Sequence, residues 1–170
     1  MTRCEIDLDR FEHNIARVKE LAGESKPMAV IKADAYGHGA IQVARLLQDK
    51  CSFFGVSSIL EAMELRRNEI TMPILILGHT PREQVGLMID NRITQAVTCR
   101  AKAVEYSAEA VRCGGELTVH IKVDTGMGRY GFLPDELEKI LSIYRYHDHL
   151  AVSGIYTHFH SSFGKEKITM

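Results

Sequence analysis

Tryptophan is absent from this sequence, proline is scarce at four residues, and the four cysteines, Cys4, Cys51, Cys99 and Cys113, form no C-x-x-C pair. Cysteines spaced this way build neither a metal ribbon nor a disulfide framework, so reduced thiols in a cytoplasmic protein are the expectation. No apolar run approaches the roughly 20 residues of a bilayer-spanning helix. The opening Met1-Thr2-Arg3-Cys4-Glu5-Ile6-Asp7 has no apolar signal core. Charge of one sign is also lacking: 21 Lys and Arg stand against 22 Asp and Glu, for a formal net charge of −1. With no basic excess, neither nucleic acid nor an anionic membrane is expected as a partner. No P-loop is present to support an unrelated phosphate-binding enzyme.

What is there is ordinary globular composition, 45% hydrophobic and 25% charged over 170 residues, enough for one real core and too little for two comfortable domains. Strand and helix patterns alternate. A short strand is expected at Cys4 to Leu8. The helix after it is expected to open on a capping box at Asp9-Arg10-Phe11-Glu12, carry Phe11, Ile15, Val18 and Ala22 on one face, and stop at Gly23. Strands are expected at Met28 to Lys32, Phe53 to Val56, Pro73 to Leu77, Thr94 to Thr98, Leu117 to Val123 and Val152 to Phe159. Between them lie helices at Ala40 to Asp49, from Ser58-Ile59-Leu60-Glu61 (a second capping box) to Asn68, from Thr80-Pro81-Arg82-Glu83 onward, along Ala101, Val104, Ala108 and Val111, and at Pro134 to Tyr144. Such alternation calls for a parallel sheet with crossover helices. The fifth strand sets Thr118, His120, Lys122 and Asp124 on one face, opposite Leu117, Val119, Ile121 and Val123. A polar strand face of that kind suits a barrel interior better than a doubly wound sheet, which is apolar on both faces.

The most informative stretch is Lys32-Ala33-Asp34-Ala35-Tyr36-Gly37-His38-Gly39. A buried apolar strand delivers one lysine at its C-terminal end, where parallel α/β folds build their sites, and the chain then turns through two glycines into an amphipathic helix. Burial beside apolar residues lowers a lysine's pKa, and the neutral amine is the form that attacks a carbonyl to make a Schiff base. For an isolated strand-end lysine the plainer reading is a snorkelling side chain beside an ordinary turn. The whole octapeptide, however, resembles the cofactor-lysine signature of the alanine racemases, which hold pyridoxal phosphate (PLP) on a (β/α)8 barrel.

A second stretch, His120-Ile121-Lys122-Val123-Asp124-Thr125-Gly126-Met127-Gly128-Arg129-Tyr130-Gly131-Phe132, sets Lys122 on the polar strand face and Arg129 in a glycine-rich loop. An arginine there offers a planar fork to an oxyanion or phosphate. Two cations facing one another call for a counter-charge. Asp124 is one candidate. The resemblance offers another, because the corresponding lysine of the alanine racemases is carbamylated by carbon dioxide and orients the arginine; Arg129 follows Lys122 at the family's spacing. A third match, Gly154-Ile155-Tyr156-Thr157-His158-Phe159, is similar to the family's sixth-strand segment. His158-x-His160 has no acidic or cysteine partner at a useful spacing, so no metal is expected. His38 reads as a turn residue.

The resemblance runs from about Glu5 to Phe159 and implies an incomplete (β/α)8 TIM-type barrel of about six βα units. Residues 1–170 would be the N-terminal part of a PLP-binding barrel domain, without the family's C-terminal β domain. Carried over, it makes Lys32 the Schiff-base and acid/base group, Tyr36 a phosphate ligand, Arg129 the partner of the PLP phenolic oxygen, Lys122 the residue that orients it, and His158 a residue behind the cofactor contacts. It implies interconversion of L- and D-alanine by a cytoplasmic homodimer. The base on the opposite face comes from the C-terminal domain in that family, so weak or absent PLP binding and no measurable turnover are expected of these 170 residues alone. An open sheet would also expose strand edges, which favours association or poor solubility. Serine or another amino acid is the alternative substrate. A non-catalytic PLP-binding protein of the related single-barrel family, or a remnant without cofactor, is the alternative role.

Overall fold

The computed structural model describes residues 5–161. Cys4, the first residue of the expected first strand, lies outside them, and residues 5–7 are not strand. The chain divides into two compact units, Met1–Leu77 and Gly78–Met170.

In the first unit, helix α1 (Leu8–Ala22) is capped by Asp7, whose side chain accepts from the Arg10 amide. The cap therefore sits two residues ahead of the expected Asp9. Either aspartate supplies the required oxygen, and the extended backbone of Asp7 lets its side chain turn back on the first turn of the helix. Strand β1 (Met28–Val30) leads to a single turn at Lys32–Gly37 and then to α2 (Ala40–Leu47). Strand β2 (Phe53–Val56), helix α3 (Ile59–Arg67) and strand β3 (Ile74–Ile76) complete the unit. β1 pairs with β2 and β2 with β3, all parallel, with Val30 opposite Gly55 and Gly55 opposite Leu75. Phe54, Ile74, Leu75, Ile76, Val43 and Leu47 are fully buried, each contributing about 1.5–3 kcal/mol of apolar burial.

The second unit begins with a 3-10 turn (Arg82–Gln84) and α4 (Val85–Asp90), followed by β4 (Ile93–Val97), α5 (Arg100–Arg112), β5 (Leu117–Val123), α6 (Leu137–Tyr146) and β6 (Leu150–Thr157). β4, β5 and β6 are again parallel and in sequence order. Helix α6 starts three residues later than expected and β6 starts and ends two residues earlier. The expected Thr80 cap does not form. Its hydroxyl donates instead to Gln95 Oε1 at 2.7 Å, because the buried amide of Gln95, in β4, needs polar partners. Gln95 also donates to the carbonyls of Gly78 and Ala96, and Tyr106 donates to the Thr80 carbonyl. Burial pushes the Tyr106 phenol up to about 12.

Parallel strands alternating with helices, in sequence order within each unit, place the chain in the α/β class. The strand reversal that marks a doubly wound sheet occurs in neither unit.

Candidate functional site

Lys32 lies two residues past the C-terminal end of β1, whose Met28 and Val30 are exposed and not buried as the sequence suggests, and the backbone there does something the sequence does not announce. Ala33, Asp34, Ala35 and Tyr36 all lie in the left-handed region, with φ between 51° and 56°. Only after these four does the chain reach Gly37 and Gly39, also at positive φ. Glycines were expected to make the turn. Instead, residues that carry a Cβ make most of it, at roughly 1–2 kcal/mol each. Left-handed conformations of this kind persist only where their surroundings over-determine them.

Here the surroundings are hydrogen bonds. The Ala35 amide donates to the Ile31 carbonyl at 2.9 Å and the Gly39 amide to the Asp34 carbonyl at 3.0 Å. Asp34 Oδ1 accepts from the Ala40 amide at 2.7 Å, so it serves as the N-terminal cap of α2 from six residues upstream. His38 Nδ1 lies 2.8 Å from the Ala35 carbonyl, and its ring meets Phe11 edge-on at 6.1 Å, which is a turn residue's role. The entrance to the turn is held from elsewhere. Glu61, in the first turn of α3, accepts from the Ala33 amide at 2.9 Å and from the Ser57 amide at 2.7 Å. Lys32 is half-buried and Tyr36 is 62% exposed.

The second unit holds the other group. Lys122 is buried at 2% exposure. Its ammonium donates to the carbonyls of Tyr130 and Val123 at 3.1 and 3.3 Å, and it sits 5.3 Å from the Tyr130 ring centroid and 5.9 Å from that of Tyr156. Burial lowers its pKa, the Asp124 charge acts against that shift, and Arg129 adds to it. Asp124 is nonetheless no side-chain partner for the lysine. Its carboxylate accepts from the amides of Gly126, Gly128 and Arg129, at 3.0, 3.0 and 2.8 Å. Those amides hold the Asp124 carboxyl down at about 2. The Arg129 guanidinium lies 5.0 Å from the same Tyr130 ring, so two cations share one π face or edge. The Tyr156 hydroxyl is buried without a partner among the described residues, and burial pushes its pKa up.

The loop itself is closed by its own backbone. The Asp124 amide donates to the Phe132 carbonyl and the Phe132 amide to the Lys122 carbonyl. Gly126, Gly128 and Gly131 have the spacing of a dinucleotide fingerprint, but that motif opens a helix, and here the chain folds back on β5 and no helix starts before Leu137. His158, one residue past β6, is exposed.

Lys122, Arg129 and Asp124 thus meet as one cluster, while Lys32 and Tyr36 share the left-handed turn in the other unit. Sequence reasoning missed Glu61, whose side chain reads as half of a capping box, and the two tyrosines flanking Lys122. The work of Asp124 did have a signal: an aspartate followed by glycines two and four positions later is the pattern of a carboxylate collecting loop amides.

The family described as alanine racemase, N-terminal domain, matches residues 6–169. Among curated proteins, alanine racemase from Clostridium perfringens is 45% identical over 167 residues, covering 96% of this chain and 43% of that protein. Among solved structures, alanine racemase from Clostridium difficile 630 in complex with cycloserine superposes with a TM-score of 0.85 at 38% identity, over 92% of this chain and 44% of that one. Histidine racemase from Leuconostoc mesenteroides superposes at 0.81 with 30% identity, over 88% and 41%. The chain spans less than half the length of these relatives.

Proposed function

The chain belongs to the alanine racemase N-terminal-domain family, and on that premise we propose that it forms the cofactor-anchoring part of a pyridoxal phosphate-dependent racemase acting on alanine. The observation that carries this reading is Lys32 at the end of β1, presented by a strained left-handed turn that several backbone and carboxylate bonds hold in place. Strain concentrated around one amine fits a reactive lysine better than a snorkelling one. When bound, pyridoxal phosphate supplies an electron sink for the charge left when the α-proton is removed.

Toward that group, Lys32 Nζ is the amine that would hold the aldehyde carbon and the atom that would carry a proton on one face. The exposed Tyr36 hydroxyl is free to swing to a phosphate oxygen. The exposed guanidinium of Arg129 would take the phenolic oxygen, and His158 would lie behind these contacts. Lys122 is proposed as carbamylated: its neutral amine adds to carbon dioxide, forming an N–C bond and releasing a proton. The result replaces a buried cation, one that shares the Tyr130 ring with Arg129 and has no carboxylate bonded to it, by an anion. No helix of the described residues is long and apolar enough to cross a membrane. The substrate class is a free amino acid, and a cytoplasmic homodimer carrying the second half of the site, from a C-terminal β domain, is part of the proposal. Another amino acid is the second reading, favoured by the likeness to a histidine racemase at 30% identity.

The test is incubation with pyridoxal phosphate, borohydride reduction and peptide mass mapping, in wild type and Lys32→Ala. Label on Lys32, absent from the variant, is expected. Label scattered over surface lysines in both proteins would sink the reading. For Lys122, isotope-labelled bicarbonate should yield a carbamate signal that Lys122→Ala loses.

A further inference from the structure

We propose that Glu61 is a positioning residue for Lys32: by accepting from the Ala33 and Ser57 amides together, its carboxylate ties the turn after β1 to the loop after β2 and so fixes the direction in which Lys32 leaves the sheet. This rests on the reading of Lys32 as the cofactor amine, and the test below separates the two.

Ala33 immediately follows Lys32 and is the first residue in the left-handed region. Its amide has left the ladder of β1, and its acceptor comes from a helix 28 residues further along the chain. The same carboxylate takes the Ser57 amide with its second oxygen. A glutamate three residues after a cap normally bonds back to the amide of the capping residue itself. In α3 the Ser58 hydroxyl caps the helix, accepting from the Glu61 amide, while the Glu61 side chain is spent on Ser57 and Ala33 instead. Among the described residues no lysine or arginine pairs with it, so the two amides are its polar partners. Both bonds are charge-assisted, the stronger kind.

Both bonds are also solvent-accessible. Water satisfies the two amides when the carboxylate is removed, so the loss falls on the conformation of the turn and not on the core.

The experiment compares wild type with Glu61→Ala, Glu61→Gln, Lys32→Ala and a neighbouring control, Glu64→Ala, an exposed position on the same helix. Three quantities are read: hydrogen exchange at the Ala33 and Ser57 amides, the urea midpoint, and the rate at which borohydride traps pyridoxal phosphate on Lys32. In Glu61→Ala, exchange at both amides should rise about tenfold or more, the size expected from losing a hydrogen bond to a charged group. Trapping should slow by a similar factor, with the urea midpoint close to that of Glu64→Ala. Glu61→Gln keeps the length but offers one acceptor oxygen, so it should release one amide and fall between. Unchanged exchange at Ala33, or trapping that merely tracks the urea midpoint across all variants, would overturn the proposal. If wild type takes no label on Lys32, these residues alone do not form the amine site, and exchange at Ala33 and Ser57 alone then decides whether Glu61 holds the turn.

Discussion

The turn after β1 and the loop after β5 solve the same problem by opposite means. Each follows a parallel strand, each carries a cation, and each is organised by a carboxylate that collects backbone amides. After β5 the carboxylate is local: Asp124 bonds the amides two, four and five residues ahead, and glycines occupy Gly126, Gly128 and Gly131, all at positive φ. After β1 the positive φ values fall on Ala33, Asp34, Ala35 and Tyr36, and the bracing carboxylate arrives from α3. A loop whose conformation is intrinsically cheap is held by its own residues. A loop whose conformation is costly needs a partner from elsewhere in the fold.

The comparison breaks most readily at Gly131. A Cβ there would lie 2.8 Å from the Asp124 nitrogen and 3.0 Å from the Lys122 carbonyl oxygen, at φ +134°. Gly131→Ala should therefore cost about 3 kcal/mol or more in urea unfolding, and it should also loosen the Lys122 ammonium. A loss below about 1 kcal/mol would show that the loop gives way more easily than its backbone contacts imply.

Asp124→Asn tests the local clamp through pH. The folded carboxyl, held at about 2 chiefly by the Gly128 and Gly126 amides, lies below the unfolded value of about 3.9. Its contribution is therefore complete above about pH 4 and disappears as the pH falls through about 2. The urea midpoint of Asp124→Asn should lie below wild type at neutral pH and converge with it in acid. Parallel curves across that window would mean the carboxylate's charge is irrelevant to the loop.

The smallest effect has the opposite sign. Ala33→Gly removes a left-handed penalty of roughly 1–2 kcal/mol and adds about 0.5–1 kcal/mol of chain entropy. The exposed Ala33 side chain has no packing to lose. A gain of about 0.5 kcal/mol is expected in urea unfolding, and a loss would show that the turn is less strained than its dihedrals suggest.

These two regions also mark where the sequence is readable. β5 runs from Leu117 to Val123, as its alternation indicates, and its polar face does hold Lys122, because side-chain period two is a property of the strand alone, while Asp124 lies one residue past the strand. The glycine loop was visible for the same reason: three glycines announce positive φ. The left-handed turn was not, since of Ala, Asp, Ala and Tyr only the aspartate tolerates it readily and the acceptor of the Ala33 amide lies 28 residues away. Asp124 reads as a counter-ion and its charge does act on Lys122, but spacing does not show that its oxygens are bonded to the Gly126, Gly128 and Arg129 amides. Thr80 looked like a cap until the buried Gln95 claimed its hydroxyl. In each miss, a contact distant in sequence outcompeted a local rule.

The left-handed turn has a consequence for the order in which this chain folds. The local bonds of the turn leave the Ala33 amide unheld until α3 has been made and docked. The closure joining Ala33 to Glu61 must be paid for in loop entropy first. The segment bearing Lys32 therefore belongs to the last part of its unit to settle, and Glu61→Ala should leave the refolding rate nearly untouched. The amine at the end of β1 takes up its final direction only once the scaffold around it is complete.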